Sequence, residues 1–150
     1  MSTEQKTETQ VKYASAKAPT MQGPADWFTG SVSVTPAFPP TETTSFSGAF
    51  VTFQAGARTA WHTHPAGQHI VVTEGVALTG TRDGTVYRAE PRDAIFCPPD
   101  VAHWHGATPD AAMTHFVITG ARDGQAVTWL EHVPDADYDA AVKKSVEESE

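Results

Sequence analysis

The stretch GARTAWHTHPAGQHIVVTEG, residues 56–75, sets two histidines, His62 and His64, two positions apart, then a Pro-Ala-Gly turn, then Gln68. Side chains alternate faces along a strand, so His62 and His64 point the same way. Beyond the turn, Gln68, Ile70 and Val72 share one face, and His69 and Val71 share the other. Imidazole ligates most divalent transition metals, and a two-residue strand spacing lets both rings reach one ion. Two surface histidines on a strand would look the same, so the surroundings must decide.

Those surroundings are strands. "SVSV" (31–34) alternates, and "SGAFVTFQAG" (47–56), "RTAWHTH" (58–64) and "QHIVVTEG" (68–75) each read as a strand closed by a turn. "VALTGTRDGTVYRAE" (76–90) is a hairpin about "RDG", and "DAIFCPP" (93–99), "AHWHGATP" (102–109), "AMTHFVITG" (112–120) and "AVTWLEHV" (126–133) continue the series. "VKYA" (11–14) reads as a short edge strand, and the three prolines of "PAFPPTETTSF" (36–46) mark a loop. Short strands with a turn roughly every ten residues predict an all-β sandwich or small barrel. "DADYDAAVKKSVEE" (135–148) reads as a helix with Asp135 as N-cap. The expected organisation is a disordered tail at 1–10, one β-domain at 11–134 and an acidic helix and tail at 135–150.

The 150 residues suffice for one core, and 11 Gly with 11 Pro suit a turn-rich β protein. A net charge of −8 argues against nucleic acid. From Glu131 onward seven acidic residues face two lysines, a solvated tail. A single cysteine, Cys97, cannot close an intrachain disulfide and reads as a packed side chain. The N-terminal segment lacks an apolar signal region and no run is long enough to span a bilayer, so the expected location is cytoplasmic.

Six of the seven histidines fall between positions 62 and 115. His103 and His105 are in phase on one strand; Met113, His115, Val117 and Thr119 are in phase on another. A barrel that turned His62, His64, Gln68 and His103 inward would bring three imidazoles and one amide together. His69 is out of phase with Gln68 and reads as external, and His132 is assigned no role.

Gly56–Gly75 reads G-x5-H-x-H-x3-Q-x6-G, which resembles the first motif of the cupins with glutamine in place of the acidic ligand. The second cupin motif is recognisable at 92–107, where Pro98 and His103 match, Arg92 and Asp100 stand for glycines and Ala107 for an asparagine. The resemblance implies a cupin jelly-roll β-barrel and one divalent metal per chain on His62, His64, Gln68 and His103. Mn(II) is the expected ion, and Fe(II), Zn(II), Co(II) and Ni(II) can take the same ligands. Neutral amide and imidazoles leave the ion's charge uncompensated, which favours Lewis-acid chemistry over a higher oxidation state.

"GPADWFTG" (23–30), "ARTAWHTHPAGQ" (57–68), "HWHGA" (103–107) and "AMTHF" (112–116) further resemble the manganese-dependent bacterial hydroxynitrile lyases of cupin fold. That resemblance implies reversible cleavage of cyanohydrins such as mandelonitrile, with His115 and His105 moving the proton. Apolar strand neighbours favour His115 for that role. Ala49, Val51 and Thr119 would line the substrate pocket. The alternatives are an Fe or Mn cupin dioxygenase, which Gln68 disfavours, and a non-catalytic metal-binding cupin that senses a small molecule. Beyond a small-molecule substrate, the partner expected is a second copy of the chain, in a homodimer or homotetramer.

Overall fold

The computed structural model of the protein describes residues 9–148, so most of the expected N-terminal tail and the last two residues lie outside the described residues. The strands form two antiparallel sheets that face each other as a jelly roll, without joining into one closed ring of hydrogen bonds. The first sheet runs in the order β1 (Met21–Gln22), β3 (Val32–Phe38), β4 (Phe46–Phe53), β12 (Met113–Gly120), β7 (Gln68–Glu74), β10 (Ala94–Cys97). The second holds β2 (Phe28–Thr29), β5 (Arg58–Thr59), β6 (His62–Thr63), β8 (Ala77–Thr81), β9 (Val86–Ala89), β11 (His103–Ala107) and β13 (Thr128–Trp129).

Alternation decides what each sheet buries. Val51 and Phe53 of β4, Ile70 and Val72 of β7, and Met113 and Val117 of β12 point inward and meet Ala77, Ala89 and Ala107 of the second sheet. Each large side chain taken out of water there contributes about 1.5–3 kcal/mol. Cys97 belongs to this core as a packed thiol, pushed up to about 12 by burial, and so is no nucleophile. The second sheet is covered on its other face as well. The helix α1 (Asp135–Glu148) lays Tyr138 and Ala141 against Trp61, Leu78, Val86 and Trp104. Gly80 makes this possible: it pairs opposite Trp104, and the indole occupies the place a β-carbon would take.

Four local expectations change. Residues 11–14 are exposed and form no strand, because β1 takes the edge of β3 instead; a short 3-10 turn at Ser15–Lys17 follows. Strand β3 continues through Pro36 to Phe38, inside the expected loop. There β1 reaches only Ser33 and Val34, and the register slips after Pro36, the two settings in which a strand accepts proline. Asp135 is the first residue of α1, not its cap: its carboxylate meets the Arg58 guanidinium at 2.6 Å, while Asp137 and Tyr138 N–H bond the Pro134 carbonyl. Arg58 itself, which reads from sequence as a surface or interface ion-pair partner, does pair with Asp135 but is only 4% exposed. It donates to Val133 O and lies over the Tyr138 ring.

The glycines that open and close residues 56–75 adopt left-handed backbone, φ +78° at Gly56 and +74° at Gly75. Arg92 and Asp100, which replace motif glycines, adopt it too, at φ +81° and +63°. The turns therefore persist without glycine, at a conformational cost of about 1–2 kcal/mol each.

Arg58→Ala strands the Val133 carbonyl and removes the contact that holds α1 against β5. The expected loss in urea unfolding is about 2–3 kcal/mol, against about 1 kcal/mol for Tyr138→Phe, which removes only the hydroxyl bond to Ala107 O.

Candidate functional site

The strand read from sequence as one run over 58–64 is two short strands with a bulge between them. Gly106 pairs with Arg58 and His103 with His62, so three steps along β11 face four along the opposing chain. One extra residue reverses the side-chain phase. Arg58 therefore reaches outward to α1, and His62 turns inward. The Ala60 N–H bonds Trp27 O and the Trp61 N–H bonds Glu131 O, which hold the bulged residues in place.

Inside, His62, His64 and His103 present ligand atoms within 4.8 Å of one another, and all three are buried. Each ring is tethered by Nδ1 to a backbone carbonyl: His62 to Ala60 O (2.9 Å), His64 to Ala126 O (2.7 Å), His103 to Val101 O (3.0 Å). A carbonyl only accepts, so the ring proton sits on Nδ1 and each Nε2 keeps its lone pair. A carbonyl bonded to the far ring nitrogen in this way is what orients histidines toward a metal. Burial, with neighbouring histidines adding to it at His62 and His103, lowers all three below the usual imidazole range, to about 4 for His103. The rings are neutral at pH 7.

Gln68 comes from the facing sheet. Its Nε2 donates to Thr119 Oγ1 at 2.9 Å, while Oε1 has no partner. His64 Nε2 and His103 Nε2 are likewise buried without a partner. Each such acceptor costs about 1–3 kcal/mol unless something meets it. Three imidazole nitrogens and an amide oxygen, with no carboxylate among the residues that line the adjoining cavity, fit one divalent transition metal.

His105 and His115 do not join that cluster. His105 projects from the second sheet and His115 from the first, and they bond across the interior, Nε2 of His115 to Nδ1 of His105, at 2.9 Å. Phe53 packs edge-on against both rings. Burial, then the charge of His115, holds His105 well below the usual imidazole range; burial holds His115 at about 4. With both rings neutral, one proton lies in the shared bond. Of the outer nitrogens, His105 Nε2 and His115 Nδ1, one carries the second proton and the other a free pair. Neither has a partner.

A cavity of about 230 Å³ opens beside these groups. Ala49, Val51, Thr119 and His105 line it, while His115 is fully buried behind it. His69 and His132 lie on the surface. Sequence reasoning missed Phe28, Val34, Val127 and Trp129 in the wall. Trp129 pairs opposite His62, sets its ring 4.8 Å from that imidazole and stacks on Trp27. No local pattern marked it, because its role depends on pairing with a strand more than sixty residues earlier. Trp61 and Trp104, the indoles beside the ligands in sequence, pack under α1 instead. A larger hollow of about 550 Å³ near Tyr13 and Phe38 contains none of the histidines.

The cupin domain family (Cupin_2) matches residues 49–119. A protein named (R)-mandelonitrile lyase from Granulicella tundricola is 49% identical over 117 residues, 78% of this chain and 89% of that one. A cupin-like protein of Thermotoga maritima superposes with a TM-score of 0.77 at 33% identity, covering 81% of this chain and 92% of that one. A cupin-2 domain protein of Rhodospirillum rubrum, at 15% identity and TM-score 0.66 over 93% and 94% of the two chains, shares the fold. No helix among the described residues is long and apolar enough to cross a membrane.

Histidines that are neutral and buried when folded, but titrate near ~6.5 when unfolded, make the unfolded chain bind more protons in acid. Metal-free protein is therefore expected to keep its stability above that value and lose it progressively as the pH falls toward about 4, the folded value of His103 and His115. Urea midpoints between pH 7.5 and 4.5 check this; a flat profile would contradict it.

Proposed function

Since the chain belongs to the cupin family, and combines that fold with an apolar cavity beside converging histidines, we propose that it is a metal-dependent carbon–carbon lyase. Its reaction is the reversible cleavage of cyanohydrins such as mandelonitrile to an aldehyde and hydrogen cyanide. The observation that carries this reading is the 49% identity, over 78% of this chain, to a chain named (R)-mandelonitrile lyase. His62, His64, Gln68 and His103 would hold the ion, with Mn(II) the favoured occupant. When bound, the metal supplies Lewis-acid polarisation of the substrate's hydroxyl oxygen.

The protein's own groups supply the rest. The cavity of about 230 Å³, walled by Phe28, Val34, Val127 and Trp129, takes one small aromatic or aliphatic substituent against a mostly apolar lining. His105, the member of the histidine pair that lines the cavity, accepts the hydroxyl proton on Nε2. Its Nδ1 proton shifts along the 2.9 Å bond to His115 Nε2, which spreads the positive charge over two rings. The electron pair of the O–H bond forms the carbonyl, the carbon–carbon bond breaks, and cyanide leaves with its electron pair. The proton then returns through His105 to give hydrogen cyanide. Burial keeps the pair neutral before the reaction, as a base requires. Ala49 and Val51, small and opposite the histidines, set the size of the substituent.

Homo-oligomerisation belongs to the same proposal. Phe46, Phe50 and Phe96 are exposed on the outer face of the first sheet, a surface suited to a second copy.

Benzaldehyde release from mandelonitrile is expected from the metal-loaded protein. Activity should be lost on chelation, restored by Mn(II), and absent in His103→Ala. His105→Ala and His115→Ala should lose about 10²–10⁴-fold in kcat while retaining metal. Stoichiometric metal binding without aldehyde release under Mn(II), Fe(II) or Zn(II) would overturn the lyase reading.

A further inference from the structure

We propose that Thr119 is the positioning residue that decides which end of the Gln68 amide faces the metal. The inference rests on the reading of Gln68 as a ligand. A glutamine amide has two ends of nearly equal size, and only one of them, the oxygen, binds a cation; the NH₂ end offers donors alone. Shape cannot choose between them, so a hydrogen bond must.

Register supplies that bond. Thr119 of β12 pairs directly opposite Gln68 of β7, both side chains turn inward, and Gln68 Nε2 donates to Thr119 Oγ1 at 2.9 Å. Oε1 is thereby left free and unpartnered on the side of the histidines. The other cross-strand neighbour of Gln68 is Cys97, a thiol and a weak partner, so the anchoring falls to Thr119. A β-branched residue on a strand has few χ1 options, which keeps Oγ1 in place.

A carboxylate at position 68 would need no such selection. Its two oxygens are equivalent, and the Thr119 hydroxyl would donate to one of them instead of accepting. The role of Thr119 is therefore specific to glutamine, and this dependence separates positioning from packing.

The test is a double-mutant cycle read as Mn(II) affinity, from the electron paramagnetic resonance signal of free ion during titration, with the melting midpoint of each metal-free variant as a folding control. Thr119→Val keeps the shape and removes the acceptor. In the parent it is expected to weaken Mn(II) binding about 10–100-fold, the range found when a group hydrogen-bonded to a metal ligand is removed. In the Gln68→Glu background the same substitution should change affinity by less than about 3-fold, and Thr119→Ser should restore most of the parent's affinity. Unchanged affinity in Thr119→Val, or an equal loss in both backgrounds, would overturn the positioning role while leaving Gln68 a ligand. Gln68→Leu binding Mn(II) as tightly as the parent would instead remove Gln68 from the ligand set, and the inference with it.

Discussion

Buried lone pairs without partners are the constraint on which this molecule depends. His64 Nε2, His103 Nε2 and Gln68 Oε1 are held out of water with nothing to accept, an arrangement that a fold built for stability alone would avoid. The surrounding structure supports it. Three backbone carbonyls, from Ala60, Val101 and Ala126, fix the imidazole tautomers, and a threonine fixes the amide. None of these four partners is itself a candidate ligand, yet together they determine which atoms face the centre.

The two sheets share the site unequally. The second sheet carries His62 and His103, with His64 just past the end of β6, and the first carries Gln68 and the wall formed by Ala49, Val51 and Val117. A metal bound here would bridge the sheets beside the one histidine–histidine bond that already crosses between them. Outside, α1 covers the far face of the second sheet, and Arg58 ties the two together just before the bulge. The bulge therefore serves both: it sends Arg58 to the helix and His62 to the interior from one short run of chain.

The absence of a carboxylate among the cavity-lining residues shapes the chemistry. Neutral ligands leave a divalent ion's charge available to polarise a hydroxyl group, and low dielectric surroundings strengthen the effect. The same surroundings keep His105 and His115 neutral, so in the proposed reaction a bound ion would stand beside an uncharged base.

Period-two alternation and turn residues were enough to place most strands, the inward phase of His62, His64, Gln68, His103 and Thr119, and the outward phase of His69. These are local properties, set by backbone geometry within a few residues. Gly56 and Gly75 were legible for the same reason, because their left-handed φ belongs to the turn itself. Tertiary structure decided whatever depended on a partner distant in sequence. The break in 58–64 follows from the register of Arg58 and His62 against β11, and Pro36 enters β3 because β1 stops short of it. Likewise, Trp129 reaches the cavity through pairing with β6, and Arg58 is buried because α1 returns over it. His105 and His115 were each visible as interior histidines, but only the opposition of two sheets made them a bonded pair and put one of them in front.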